Sequence, residues 1–193
     1  GEIMNKKFTI FFGVLLAAVC CLKQLAAGQI IEFRYDGPKI PSGVSVWTDK
    51  KELVECELSM DAAEQFPEGK GALKAVVKTG APSKHFSKIQ ISHVVKTKIS
   101  PVKKFRITVW IKADKDYEDK IPIKALTAVS PIKGLSAGKD HEKFVKLSKT
   151  WQKVVMEFTP NIEAESARLP TVSIGALPTG AIVWIGKVLV EDL

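Results

Sequence analysis

Phe105-Arg106-Ile107-Thr108-Val109-Trp110-Ile111-Lys112 is the stretch of this sequence that decides the fold. Its odd-numbered positions are apolar, whereas its even-numbered positions include Arg106, Trp110 and Lys112. An alternation with a period of two is typical of a β-strand that buries one face and leaves the other open. The stretch therefore predicts a half-buried strand with a tryptophan and two cations on its second face.

Two later stretches have the same character. Residues 151–159 open on Trp151, place Val154, Met156 and Phe158 on one face, and end before Pro160. Proline cannot donate a ladder hydrogen bond, so it marks the end of that strand. Residues 181–190 form the last apolar run, which is predicted to be the strand that closes the domain.

Similar short runs extend along the rest of the chain, separated by Gly/Pro-rich turns such as 41–43, 80–82 and 178–180. One helical turn is predicted at residues 61–65, with Asp61 as its N-cap. About ten short strands with this spacing indicate an all-β fold, a two-sheet antiparallel β-sandwich of the jelly-roll kind. The predicted strands are 30–35, 44–48, 52–60, 72–78, 86–95, 105–112, 121–128, 143–147, 151–158, 171–177 and 181–190.

The order of these motifs resembles that of carbohydrate-binding modules of the family 4/9 type, which have a galactose-binding-like jelly roll. The resemblance rests on residues 105–113, 151–159 and 182–190, and more loosely on 68–76 and 92–94. It spans roughly residues 30–193 and implies a sandwich that binds sugar.

The sequence departs from that family at one pair. Many members carry an aspartate that helps to hold a structural calcium ion where this chain has Gly186-Lys187. A hard cation needs several oxygen ligands, and an ammonium group opposes it. No cofactor and no metal site are therefore expected, although Glu32, Glu191 or Asp192 could supply compensating oxygens.

Residues 1–28 are predicted to be a signal peptide with an upstream extension. Lys6 and Lys7 precede an apolar run at 8–19, and small residues at 26–28 provide a cleavage site. The run is short for a membrane span, so no transmembrane segment is expected after cleavage. The predicted domain is then 29–193, secreted or periplasmic. A lipoprotein anchor at Cys20 or Cys21 is the less favoured alternative.

The chain is basic, with 29 Lys and Arg against 21 Asp and Glu. Most of the cations are lysines, which favours a solvated exterior over nucleic-acid binding. A second interpretation is electrostatic attraction to an anionic polysaccharide, to lipopolysaccharide or to a membrane surface.

Catalytic motifs are not found. His85, His93 and His141 lack zinc-site spacing, and no nucleophile elbow or phosphate-binding loop is visible. The acidic run at 114–119 is interleaved with Lys115 and fits a solvated turn. Cys56 alternates with apolar residues and is predicted to be a buried small hydrophobe. The sequence therefore predicts no catalytic residues and a protein that is not an enzyme.

The candidate ligand-binding residues are aromatic or polar side chains on predicted strands and loops. Sugar recognition uses an aromatic plane flanked by amides, hydroxyls and charges. Trp151 and Trp184 match scaffold positions of the family and are expected in the core. The candidates are Trp110, Arg106, Lys112, Gln90, His93, Trp47 and Tyr117.

Together these observations predict an exported, non-catalytic module that binds a poly- or oligosaccharide. The alternative is a structural or protein-interaction sandwich of the cell envelope without sugar binding, because fold alone does not fix function. Aromatic side chains on an open sheet face would favour the sugar-binding module over the structural or protein-interaction sandwich.

Overall fold

A computed structural model describes residue 28, residues 30–127 and residues 141–193 of the chain. The described residues contain eleven strands, two short 3-10 turns and no α-helix. The strands are β1 Ile30–Arg34, β2 Val44–Thr48, β3 Glu55–Phe66, β4 Gly69–Thr79, β5 Ile89–Val95, β6 Phe105–Ala113, β7 Lys120–Thr127, β8 Glu142–Lys146, β9 Gln152–Phe158, β10 Ala167–Ser173 and β11 Ile182–Asp192. The 3-10 turns are Lys50–Glu52 and Phe86–Lys88.

The strands form two antiparallel sheets. The six-stranded sheet has the order β3-β4-β11-β6-β9, with β1 pairing to β11 beside β4. The five-stranded sheet has the order β2-β5-β10-β7-β8, which places β10 at its centre. The predicted all-β, two-sheet jelly roll is confirmed.

The core lies between the sheets because each strand buries alternate side chains. In β6 the apolar positions from Phe105 to Ile111 are all buried, and in β9 they meet Val154, Met156 and Phe158. Phe105 and Phe158 stack with ring centroids 5.8 Å apart. Each fully buried side chain of this size contributes about 1.5–3 kcal/mol of transfer free energy. Val154, Met156 and Phe158, which the sequence places on one face, are all buried.

Two local predictions are wrong. Residues 61–65 form no helical turn but belong to β3, whose pairing with β4 shifts register between Asp61 and Gln65. The pairing of β3 with β4 overrides the local helix signal there. The strand predicted at 171–177 is β10, which begins at Ala167 and contains Pro170. Its register shifts between Arg168 and Thr171 against both neighbours, which accommodates a residue without an N–H.

The predicted signal peptide lies outside the described residues except for Gly28, so it stays a prediction. Within the described residues, no helix has the length and apolar character needed to span a bilayer.

Candidate binding face

The outer face of the five-stranded sheet carries a polar row across all five strands. In β5, Ile89, Ile91 and His93 point inward, so Gln90 and Ser92 point outward. Cross-strand partners point to the same face, which extends the row in both directions from Ser92. The row comprises Ser45, Ser92, Thr171, Lys124 and Glu142.

Side chains within this row bond to each other. Ser92 Oγ lies 3.2 Å from Thr171 Oγ1, and Lys124 Nζ lies 2.8 Å from Glu142 Oε1. Ser92 and Thr171 are buried, whereas Lys124 and Glu142 are partly open to solvent. Hydroxyl groups therefore form the floor of this face, and longer polar side chains stand beside them.

A neighbouring row of the same face ends in an aromatic residue at each edge. Trp47 on β2 lies opposite Gln90, which lies opposite Ser173 on β10. At the other edge, Phe144 on β8 lies opposite Pro122 of β7. The Trp47 side chain is 50% exposed and that of Phe144 is 55% exposed. Four strand spacings of about 4.8 Å separate the two edges, roughly 19 Å in all.

Ion pairs fix the turn that follows Trp47 at the edge of the sheet. Residues 46–51, with Trp47 among them, line a depression of about 390 Å³. Lys88 Nζ lies 2.7 Å from both Asp49 and Glu52. The Lys88 ammonium group, which bonds to Asp49, lowers the pKa of that carboxyl and keeps it ionised. These contacts hold the turn after β2 in place next to the tryptophan.

This arrangement has the parts that sugar recognition requires. Aromatic rings present a flat apolar surface to the C–H face of a pyranose, and amide or hydroxyl groups bind its hydroxyls. Here Gln90 presents an amide that is fixed by a 2.8 Å hydrogen bond from its Nε2 to the Ser87 carbonyl oxygen. Of the residues predicted from sequence, Trp47 and Gln90 belong to this face.

His93 does not belong to it, so its predicted contact with a ligand is wrong. It lies three residues from Gln90 and therefore points into the core, where it is fully buried. Its Nε2 lies 2.5 Å from the Tyr35 hydroxyl and its Nδ1 lies 3.3 Å from the Pro170 carbonyl oxygen. Burial lowers the pKa of His93 from 6.5 to about 4. The imidazole is therefore a neutral, satisfied core group.

Tyr117 is also unavailable to a ligand. Its ring is buried, its hydroxyl donates to Asp114 Oδ1 at 2.8 Å, and Lys115 lies over the ring at 5.3 Å. Burial, followed by the bond to Asp114, raises the pKa of the phenol. The predicted role of Tyr117 as a loop platform is wrong because the loop folds its ring inward.

Trp110, Arg106 and Lys112 share one surface, as predicted, but this is the outer face of the six-stranded sheet. Arg106 pairs with Glu157 at 2.7 Å, and Lys112 pairs with Glu64 at 2.7 Å. The Trp110 side chain is 9% exposed, so it offers no open stacking plane. Its Nε1 faces the Glu68 carboxylate without a hydrogen bond of normal geometry.

The end of the β3–β4 hairpin covers this second face. We call residues 61–69 the hairpin arm. The Phe66 ring lies 6.4 Å from that of Trp110 and 5.7 Å from that of Trp151. Trp151 Nε1 donates to the Gln65 carbonyl oxygen, and Trp184 Nε1 donates to Asp61. Trp151 and Trp184, expected in the core, instead lie beneath the arm and stay partly exposed.

Lysines alternate with these tryptophans. Lys112 Nζ lies 4.9 Å from the centroid of Trp184 and 5.3 Å from that of Trp151. Lys74 lies over Trp184 at 5.8 Å, and Lys153 lies over Trp110 at the same distance. Each such cation–π contact contributes about 0.5–1 kcal/mol at a surface site. The aromatic groups of this face are therefore occupied by the chain itself.

Lys187 lies where the family resemblance would place a calcium ligand. Its Nζ is 3.2 Å from Glu32 and 3.6 Å from Glu68. Among the described residues, no group of three His, Cys, Asp or Glu side chains has the arrangement of a metal site. Cys56 is half-buried, and burial raises the pKa of its thiol to about 11.

Four residues of this candidate face are absent from the sequence-based prediction: Phe144, which is exposed, and Ser92, Thr171 and Ser173, which are buried. Ser173 lies between Val172 and Ile174, and Ser92 lies between Ile91 and His93, so the alternation of each serine with buried residues could have indicated its outward direction. Phe144 gives no such signal, because an exposed phenylalanine looks like a core residue in sequence.

Comparison with known proteins supports the fold. No protein-family model and no curated protein matches the sequence. Solved structures do match. A CBM4 carbohydrate-binding module is 15% identical, with a TM-score of 0.57, 78% of this chain covered and 86% of that one. The CBM22-1 xylan-binding domain of Paenibacillus barcinonensis Xyn10C is 11% identical, with a TM-score of 0.55 and coverage of 86% and 96%.

A third match is an adhesin domain. The K1 cleaved adhesin domain of Lys-gingipain from Porphyromonas gingivalis W83 is 7% identical, with a TM-score of 0.55 and coverage of 86% and 99%. At these identities the matches establish a shared architecture. The chain therefore has the fold of carbohydrate-binding modules over most of its length.

Proposed function

We propose that this domain binds a carbohydrate on the outer face of its five-stranded sheet. The observation that supports the proposal is the placement of Trp47 and Phe144. They are the exposed aromatic residues of the described chain, and they lie at opposite edges of one polar face. Each ring offers an open stacking plane for the C–H face of a sugar, and the polar groups between the two rings can bind its hydroxyls.

The proposed role is binding without catalysis. Glycoside hydrolysis uses two carboxyl groups on either side of the scissile bond. On the polar row of the described face there is one carboxylate, Glu142, and Lys124 holds it at 2.8 Å. No cofactor is proposed, because Lys187 places an ammonium group between Glu32 and Glu68. Export to the periplasm or the medium is part of the proposal and rests on the predicted signal peptide.

A glycan array followed by calorimetry tests this function. We expect Trp47→Ala and Phe144→Ala each to weaken binding of the array hit about fivefold, since a stacking contact contributes on the order of 1 kcal/mol. Val102→Ala is the control, because Val102 is 92% exposed and lies in the turn between β5 and β6 and not on a strand of this sheet. Circular dichroism checks folding of each variant.

The outcomes separate the two candidate functions. If all three variants bind the glycan with equal affinity, the binding site does not lie on this face. A folded protein that binds nothing on the array would favour the alternative, a protein-interaction sandwich.

A further inference from the structure

We propose that the sugar bound on this face is acidic and that Arg168 binds its carboxylate or sulfate group. This inference rests on the proposed function and adds the chemical class of the ligand. Arg168 belongs to β10, the central strand of the five-stranded sheet. Its neighbours across the sheet are Val94 of β5 and Leu126 of β7.

Arg168 points to the same face as the polar row. Ala167 and Leu169 on either side of it are buried, so the arginine faces outward. Its side chain is partly buried between two aliphatic neighbours. A guanidinium group there has less water around it than a fully exposed cation, which strengthens its attraction for an anion.

Among the described residues, Arg168 has no ion pair, unlike the other two arginines. Arg34 lies 2.9 Å from Glu32, and Arg106 lies 2.7 Å from Glu157. A guanidinium carries five donors in a planar fork that suits a carboxylate or a sulfate ester. Leaving such donors half-buried and unpaired costs free energy unless a ligand or water satisfies them. Arg168 is therefore the described arginine free to bind an external anion.

The two outer faces also differ in charge. On or beside the six-stranded sheet, carboxylates neutralise most of the cations: Arg34, Lys78, Lys104, Arg106, Lys112, Lys153 and Lys187 all form ion pairs. On the five-stranded sheet, Lys124 pairs with Glu142 and Lys146 pairs with Glu118, whereas Lys120, which lies opposite Lys146, forms no ion pair among the described residues. Like charges in that arrangement repel unless an anion lies between them.

The Trp47 edge adds further positive charge. Lys50 and Lys51 line the same depression as Trp47, and both are exposed. The nearby carboxylates of Asp49 and Glu52 are already bound to Lys88. Within the described residues, neither Lys50 nor Lys51 forms an ion pair. The proposed sugar face therefore has Arg168, Lys50 and Lys51 on or beside it as cations that no described carboxylate neutralises.

Calorimetry on two pairs of polymers tests the proposal. The probes are polygalacturonate with its methyl-esterified form, and dextran sulfate with dextran, so each acidic polymer has a neutral counterpart. We expect at least one acidic polymer to bind about tenfold more tightly than its counterpart, and Arg168→Gln to lose most of that difference. The pair that shows the preference identifies the carboxylate or the sulfate as the recognised group.

Arg106→Gln is the matched control, since it removes the same charge from the opposite sheet. It should leave the preference unchanged. Equal losses in both arginine variants would overturn the proposal, because they would indicate attraction to net charge alone. Binding of a neutral glycan on the array without binding of either acidic polymer would also overturn it, while leaving the proposed function intact. If the protein binds no glycan at all, both the proposed carbohydrate-binding function and the proposed acidic ligand are wrong.

Discussion

His93 shows at the residue scale how one position decides between site and core. The ring contacts Phe33 edge-on at 5.1 Å, and its two nitrogens are satisfied by Tyr35 and Pro170. The neutral imidazole can donate from Nδ1 to the Pro170 carbonyl oxygen and accept at Nε2 from the Tyr35 hydroxyl. A proton on Nε2 would reverse that second bond, with the Tyr35 hydroxyl oxygen accepting, and would leave a charge in the core.

His93 should therefore make stability depend on pH. Its pKa is about 4 in the folded protein and near 6.5 when unfolded. Between these values the unfolded chain binds the extra proton, so stability is full above pH 6.5 and falls as the pH drops toward 4. The difference corresponds to up to about 3 kcal/mol. Urea unfolding at pH 7 and pH 4.5 measures it.

Two histidine variants isolate the effect. His93→Gln should flatten the stability profile between pH 4.5 and 6.5, at a cost in stability at neutral pH. His85→Gln removes an exposed imidazole that caps the 3-10 turn at Phe86–Lys88, and it serves as the comparison for loss of a histidine outside the core. An unchanged slope in His93→Gln would assign the pH dependence to other groups.

At the element scale, the hairpin arm turns a potential aromatic platform into a second, smaller packing layer. The register shift between Asp61 and Gln65 bends the end of β3 over the six-stranded sheet. Side chains from three strands then hold it: Lys112 of β6, Lys153 of β9 and Trp184 of β11. The arm explains why Trp110 is covered although its strand position faces outward.

Gly186 provides the space that lets Phe66 pack there. A Cβ at residue 186 would lie 2.8 Å from Phe66 Cγ and 3.1 Å from Trp151 Cη2. We expect Gly186→Ala to displace the Phe66 ring and destabilise the protein by about 1–3 kcal/mol. Thermal and urea unfolding measure the change, and Trp fluorescence should shift as Trp110 and Trp151 become more exposed.

Two further variants test whether the Phe66 ring is the reason that residue 186 must be glycine. Gly37→Ala adds a methyl group with no atom within 4 Å and should be close to neutral. Phe66→Ala is destabilising by itself, but adding Gly186→Ala to it should cost less than in the wild type, because the closest clash, with the Phe66 ring, is gone and only the contact with Trp151 remains. Additive losses in the double variant would show that Gly186 is required for another reason.

The strands themselves were largely predictable, because alternation and turn residues agree along most of the chain. β2 has the predicted bounds, and β6 extends only to Ala113 beyond them. The errors occur where pairing with a neighbouring strand, and not the local sequence, determines the secondary structure. Asp61 is a good helix N-cap locally, yet β4 is available to pair with its segment. Pro170 argues against a strand locally, yet a shift in register accommodates it.

The candidate binding face was less predictable, because its residues come from five strands, and the order of these strands in the sheet cannot be deduced from the sequence. Trp47 and Gln90 were among the candidates, and the fold makes them partners on adjacent strands. Trp110 was a candidate for the right local reason, its outward position, but the hairpin arm that covers it is a tertiary feature. Which of two outer faces stays open is decided at the level of the whole molecule.

At the scale of the whole molecule, the two sheets share one hydrophobic core and should unfold together. Inward side chains of both sheets belong to a single hydrophobic cluster, and small domains with one core commonly unfold in two states. The four tryptophans allow a direct test, since Trp47 reports on the five-stranded sheet and the other three lie on the six-stranded sheet.

In Trp47→Phe, fluorescence therefore follows the six-stranded sheet alone, while far-UV circular dichroism follows both. We expect the two signals to give one midpoint in urea and one slope. Different midpoints would mean that one sheet persists after the other has unfolded. The sandwich would then be two cooperative units, and the binding face could open while the layer under the hairpin arm stays folded.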